Sequence, residues 1–253
     1  MFRFKQFAVA QNNCAMKVNT DGVLLGAWVE VSEAKHILDI GTGTGVIALM
    51  LAQKNSHAVI DAIDIDKDAY SQSKENFEQS PWSNSLTAIH SSLQNYKGTL
   101  AVYPPLVEVA RGSARDEGGS NVYYDSIISN PPYFIDDFKA DNSQKNIAKH
   151  STALTYQELL KGINRLLSKT GKAFLVIPVF NVQLIQTLAA EENLYITKFT
   201  EVTAVAGKNP YLALMELGRK KEEYIKSSLF IQDTQGNFTE EYKHLTKDFY
   251  LKF

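Results

Sequence analysis

The sequence predicts an α/β fold, a mainly parallel sheet with helices on both faces. Three observations predict it. Apolar runs of strand length alternate with segments of helical period, the first strong run empties into a glycine-rich turn, and the next run ends on acids. Strand, helix, strand in succession implies right-handed crossovers, which build parallel sheets covered on both sides.

Strand-length runs stand near 36–40 (HILDI), 58–64 (AVIDAID), 86–90 (LTAIH), 124–129, 172–177 (KAFLVI), 194–202 and 211–217 (YLALMEL). Between them, Asp21 to Val31 and Thr44 to Lys54 carry apolar residues at helical spacing, and Lys67 to Gln79 reads as a more polar helix. Leu154 to Ser168 and Val182 to Glu192 continue the alternation. Two regions break it. Residues 101–122 mix prolines, glycines and charges and read as a long loop, a feature that in compact domains is functional or mobile. Residues 135–152 are polar and read as a lid or substrate-binding segment. The stretch 236-GNFTEEYKHLTKDFYLKF-253 is aromatic-rich and is expected to pack back on the sheet. The run 218-GRKKEE-223 reads as a solvated turn, and Trp28 and Trp82 as packing residues.

Bulk properties exclude several classes. The 253 residues are 44% hydrophobic and 21% charged, a globular composition, and suffice for one full core. A net charge of -2 gives no global basic signal, so a nucleic-acid partner has to use a local patch. Cys14 is the only cysteine, which leaves no disulfide framework and no cysteine zinc cluster. No apolar run reaches membrane-spanning length and the N-terminus lacks a signal-peptide core, so a cytoplasmic protein without a membrane partner is expected.

The first strand leads into 41-GTGTGVIALMLAQ-53. Gly41, Gly43 and Gly45 let the backbone turn tightly and bring a ligand close to the amides of a helix N-terminus. A dinucleotide fingerprint would place its third glycine at Val46. The G-x-G-x-G spacing, preceded by Asp39, fits instead a loop that holds the amino-acid part of S-adenosyl-L-methionine. Asp39 is expected to orient the ammonium. About 20 residues on, 61-DAIDID-66 ends with Asp64 where a carboxylate binds ribose hydroxyls, with Asp66 its neighbour.

A second feature is 123-YYDSIISNPPYF-134. Proline cannot donate to a ladder, so the strand stops at Asn130. In an open parallel sheet this strand lies beside the first, which sets Asn130 across from the glycine loop at the carboxyl ends. Two acceptors, the Asn130 side-chain oxygen and the Pro131 carbonyl, suit a planar exocyclic amine, and each residue is restrained by the proline after it. Tyr133 can stack on a base, with Phe134 beside it. No ordinary general base is required.

In this order, LDIGTGTG, AIDID and SNPPYF resemble the motifs of class I S-adenosylmethionine-dependent methyltransferases that methylate amines. The N-terminal 2-FRFKQFAVAQNNCAMKVNTDGVLLGAW-28 is similar to the start of the bacterial tRNA1(Val) (adenine-37-N6)-methyltransferases, and the similarity covers nearly the whole chain. The resemblance implies a Rossmann-like seven-stranded sheet with an antiparallel edge strand, in one domain over 1–253. Within it, 1–31 would cover the cofactor, 32–218 form the catalytic core and 219–253 an extension. It further implies N6-methylation of an adenosine in tRNA by a monomer without metal. Asn130, Pro131 and Tyr133 would be catalytic. Lys17, Thr20, Asp39, Gly41, Gly43, Gly45, Asp64 and Ile65 would bind the cofactor, and Pro132, Phe134, Lys149 and His150 the substrate. Two departures stand out. Many members carry an acid after the third strand that touches the cofactor's adenine, whereas 90-HSSLQNY-96 has none, and the 101–122 loop is longer than usual.

The tRNA reading needs local positive charge, expected from Arg3, Lys5 and Lys17 on one side of the pocket and from Lys139, Lys145 and Lys149 on the other. Rival readings are methylation of a release-factor glutamine or of DNA adenine, and a module that binds RNA without chemistry. The first would need a helical domain ahead of Gly41, the second a target-recognition region, and the third would not need an intact Asn130.

Overall fold

The computed structural model describes residues 1–12, 14, 16–98, 123–131 and 154–253. The 101–122 loop, the 135–152 segment, Pro132, Tyr133, Phe134, Lys149 and His150 lie outside the described residues.

A two-stranded antiparallel ribbon, β1 (Phe2–Arg3) and β2 (Ala8–Val9), opens the chain. It is followed by α1 (Thr20–Trp28), β3 (His36–Ile40), α2 (Val46–Lys54), β4 (Val59–Asp64), α3 (Lys67–Glu78), β5 (Leu86–His90) and β6 (Tyr124–Ser129). Then come α4 (Tyr156–Leu166), β7 (Leu167–Pro178), α5 (Val182–Glu191), β8 (Tyr195–Val205), β9 (Leu212–Gly218), β10 (Ile225–Gln232) and α6 (Glu240–Thr246). Each strand and helix expected from period and composition forms, because the apolar runs are long enough to fix their own element type.

The main sheet has the order β10-β8-β9-β7-β6-β3-β4-β5. β3 pairs in parallel with both β4 and β6, so strand order reverses between β3 and β6. That is the switch point at which open α/β sheets bind ligands. Two details depart from the sequence expectation. The antiparallel strand β9 is not at an edge but lies between β7 and β8. The sheet has eight strands, since β10 of the C-terminal extension pairs in parallel with β8. Its Leu229 and Ile231 are buried and extend the core there, while Ser227 meets Thr200 hydroxyl to hydroxyl at 2.7 Å.

Period-2 alternation sends neighbouring strand residues to opposite faces. Ile37, Ile60, Ala62, Ile128, Phe174 and Leu214 form one core with α1 and α2. Leu38, Ile40, Ile63, Ile127, Leu175 and Met215 form the other with α4 and α5. The ends of the chain close the first core. Phe4 stacks on Phe7 and Tyr250, and Lys5 Nζ donates to the Lys247 and Phe253 carbonyl oxygens at 2.6 Å each.

In the second core, the buried Asp61 carboxylate accepts from the Tyr124 hydroxyl at 2.6 Å and the Tyr96 hydroxyl at 3.0 Å. This joins β4, β6 and the segment after β5. Arg219, expected in a solvated turn, is half-buried and donates to the carbonyls of Asn164, Leu167 and Ser168 and to the Asn164 side chain. A guanidinium fork can end a helix and a strand together, and these acceptors lie where α4 runs into β7.

Candidate functional site

The carboxyl ends of β3, β4, β5 and β6 converge on one crevice. After β3, the glycine turn runs with positive φ at Gly41 (71°), Gly43 (57°) and Gly45 (81°), a region that L side chains rarely occupy. The three serve different ends. A Cβ on Gly41 or Gly43 would meet nothing within 4 Å, so their faces are open towards the crevice. A Cβ on Gly45 would lie 2.5 Å from the Phe77 ring, so this glycine lets α3 press against the loop. Gly45 is also the N-cap of α2, with no side-chain capping bond. The Ala48 amide is turned to the Asp39 carboxylate, and the Val46 and Ile47 amides are left for a ligand.

Asp39 sits beneath the turn at 0% exposure. Its Oδ2 accepts from the Thr42 hydroxyl at 2.7 Å, and its Oδ1 is buried with no hydrogen-bond partner. Burial pushes the carboxyl up to about 7, against the pull of the Thr42 hydroxyl. At the end of β4, Asp64 Oδ2 accepts from the Gly43 amide at 2.8 Å and Oδ1 from the Asp66 amide at 2.9 Å. Desolvation raises its pKa, and the two amides oppose that. Asp66 is the N-cap of α3, accepting from the Asp68 and Ala69 amides. This fixed turn presents Ile65 at 55% exposure.

The acid-free segment after β5 supports the same turn from the other side. His90 stacks on Tyr70 and its Nε2 lies 3.0 Å from the Ile65 carbonyl oxygen. A carbonyl only accepts, so Nε2 carries the proton. The Ser91 amide donates to the Asp64 carbonyl at 3.0 Å.

Residues 8–12, 14 and 16–19 belong to a strap that is tied to the glycine turn. Sequence reasoning missed the residue that ties it down. Asn76 of α3 is 2% exposed, accepts from the Ala10 amide at 2.9 Å and donates to the Ala10 carbonyl at 2.9 Å and to the Thr44 carbonyl at 2.8 Å. One carboxamide thus joins strap and glycine turn. Gln11 Oε1 closes the strap by accepting from the Val18 amide at 2.9 Å. Burial, and then Asp64, Asp66 and Asp68, push the Cys14 thiol up to about 11. Lys17 is exposed, and Thr20 opens α1 behind its cap Asn19, whose side chain accepts from the Gly22 amide at 2.9 Å.

Asn130 follows β6 directly, with Pro131 buried behind it. A Cβ on Gly22 would lie 3.7 Å from Asn130 Nδ2, so the start of α1 packs on the asparagine. The Ser129 hydroxyl anchors this corner on the Ile40 carbonyl at 2.9 Å, tying it to the strand that carries the glycine turn. The structure thus gathers Thr20, Asp39, Gly41, Gly43, Gly45, Asp64, Ile65, Asn130 and Pro131 about one crevice. Lys5, expected to face RNA, is spent on the chain's own C-terminal carbonyls.

Comparison with known proteins decides the family. A protein from Bacteroides thetaiotaomicron called tRNA1(Val) (adenine(37)-N6)-methyltransferase is 40% identical over 251 residues, covering 99% of this chain and 97% of the relative. One of the same name from Flavobacterium psychrophilum is 40% identical over 253 residues, covering 100% of both. The chain belongs to the tRNA1(Val) (adenine(37)-N6)-methyltransferase family. The Methyltransferase small domain family matches residues 14–102, a stretch that runs from the strap through the glycine turn and Asp64. In fold, the chain resembles the crystal structure of a predicted O-methyltransferase from Agrobacterium tumefaciens, with a TM-score of 0.64 and 14% identity over 90% of this chain and 96% of that one. Family membership agrees with the order of motifs in the crevice. Among the described residues, no cluster suited to a metal ion and no membrane-spanning helix is found.

Proposed function

We infer that this chain methylates N6 of an adenosine in tRNA, adenosine 37 of tRNA1(Val) being the target its relatives' names give. The observation that carries the reading is Asn130, held at the carboxyl end of β6 across the switch point from the glycine turn. The crevice fits S-adenosyl-L-methionine. Asp39 Oδ1, an orphaned buried acceptor, suits an ammonium, the uncapped amides of α2 suit a carboxylate, and Asp64 suits a ribose diol. Ile65 offers an apolar face to a base, and Lys17 of the strap and Thr20 at the start of α1 cover the ligand. When bound, the cofactor supplies an electrophilic methyl group on a sulfonium.

The chain's own work is to prepare the nitrogen. An exocyclic amine is conjugated with its ring and poorly nucleophilic. The Asn130 side-chain oxygen and the Pro131 carbonyl accept its two N–H groups and draw the nitrogen out of plane. On the family resemblance, Tyr133 and Phe134 would stack on the extruded base, with Pro132, Lys149 and His150 the further substrate contacts. A purified chain incubated with the cofactor and a tRNA1(Val) transcript should yield N6-methyladenosine by nucleoside mass spectrometry, and a transcript with guanosine at position 37 should yield none. No methylated adenosine from the first transcript would sink the reading.

Two predictions concern the cofactor. Asp64→Ala should weaken its binding about 5- to 150-fold, as expected for one charge-assisted contact worth about 1–3 kcal/mol. Unchanged affinity in a calorimeter would remove Asp64 from the site. Asp39 sets a pH dependence. Its raised pKa means that its contribution to apo stability is present below the usual carboxylate range and is lost as pH rises through about 7. An ammonium binds the ionised form, so cofactor affinity should rise with pH through about 7 with release of a proton. Affinity falls again as the ligand's own amine deprotonates near about 8. Asp39→Asn should abolish the lower limb, and a lower limb that survives in the variant would refute the assignment.

A further inference from the structure

The carboxyl face extends past the crevice. β7 and β8 run parallel to β6, so the turns that follow them open on the same side as Asn130. Three large apolar side chains stand there in water: Phe180 at 70% exposure, Leu184 at 44% and Tyr211 at 40%. The Val179 amide donates to the Tyr211 carbonyl at 3.1 Å, and Tyr211 donates to the Val202 carbonyl at 3.0 Å. Phe180 and Tyr211 therefore rise from adjoining strand ends. Gly207, with φ of 84°, turns the chain between β8 and β9, and the exposed Lys208 follows it. Lys208 forms no ion pair among the described residues.

We propose that this rim of Phe180, Leu184, Lys208 and Tyr211 grips the single-stranded nucleotides that flank the target adenosine. It rests on the methyltransferase reading of the crevice. Register supports the placement. Ser129 pairs with Leu175, which sets Asn130 level with Val176, and Phe180 follows within about 15 Å at ordinary strand spacing and rise. An adenosine drawn to Asn130 carries its neighbours over this rim.

The chemistry fits RNA better than protein. Unstacked bases are held on exposed aromatic faces, and their phosphates are met by single cations, which is the combination Phe180, Tyr211 and Lys208 present. A protein partner would need a continuous patch of about 800 Å² on each side, and a few separate side chains do not supply it. Lys208, exposed beside the Gly207 turn, is the cation of this rim for the phosphates. The rim also gives the substrate a grip that Lys5 does not offer.

The test uses the full chain and an anticodon stem-loop RNA carrying the target adenosine. Phe180→Ala should weaken RNA binding about 5- to 150-fold, the value of one stacked base, and Phe180→Trp should restore it. Lys208→Gln should lower the slope of log affinity against log salt by about 0.7–0.9. Both variants should keep the wild-type cofactor affinity, which reports an intact fold. If Phe180→Ala and Lys208→Gln bind RNA as an active wild type does, the rim is not the grip. A variant that changes the oligomeric state in place of RNA affinity overturns it in favour of a contact between copies. A wild-type chain that neither binds nor methylates the RNA overturns the enzyme reading and the rim together.

Discussion

Asn130→Ala is expected to slow methyl transfer about 100-fold or more while leaving cofactor affinity near the wild-type value. The carboxamide oxygen acts where charge develops as the amine loses conjugation, and removing one such acceptor or donor typically costs about 10²–10³ in rate. A fall in kcat with little change in either binding constant is the signature of an interaction made chiefly in the transition state. The structure makes the substitution a clean probe of that role. Asn130 stands at the strand's end, Pro131 and the Ser129 anchor on Ile40 remain, and the cofactor ligands lie on other strands. Stopped-flow or quench measurement of a single turnover separates the chemical step from RNA release. Full turnover by the variant would refute the acceptor mechanism.

The second large effect is on stability and lies away from the crevice. Asp61→Ala should lower the free energy of unfolding by about 3–5 kcal/mol, since two hydrogen bonds to a charged acceptor are lost and two phenols are left in a dry core. Tyr96 and Tyr124 also approach each other at 2.5 Å between hydroxyl oxygens. Each phenol has one proton, so the three short contacts cannot all be hydrogen bonds at once, and both hydroxyls donate to the carboxylate. Burial, with Asp61 and Tyr96 beside it, raises the Tyr124 pKa far above the ordinary phenol value. Tyr124→Phe should cost less, because Tyr96 keeps its bond to Asp61. Urea unfolding followed by fluorescence checks both, and an Asp61→Ala midpoint equal to that of wild type would show the network to be idle.

The parts legible in the sequence were those that depend on local period or on one residue's own chemistry. HILDI, AVIDAID and LTAIH formed strands where expected because their apolar runs fix face and type. The glycine turn, Asp64 and Asn130 were legible because glycine, an acid at a set distance and a proline-terminated strand each have few structural meanings. Residues whose meaning lies in a distant partner were not. Nothing near Asn76 in the sequence points to Ala10 or Thr44, nothing near Arg219 points to Asn164, and Lys5 reads as a free surface charge until its carbonyl partners at the other end of the chain are seen. β10 escaped notice as a strand because Ile225 to Ser228 are exposed and give no period. The antiparallel strand β9 was misplaced for a different reason: its buried run fixes a strand, but its position between β7 and β8 is set by pairing with strands distant in sequence, which local period does not show.

The inner face of α3 has a consequence for anyone who would make this enzyme more heat-resistant. Gln72, Ser73 and Asn76 are all buried there, in a helix whose overall composition is polar. A procedure that rewards apolar interiors would change these positions first, yet Asn76→Leu would leave the Ala10 amide and the Ala10 and Thr44 carbonyls without partners and so lower the melting temperature. The same change removes the one carboxamide that holds the strap to the glycine turn, so stability and turnover would fall together. The buried polar face of α3 is therefore a poor place to seek heat resistance through apolar substitution.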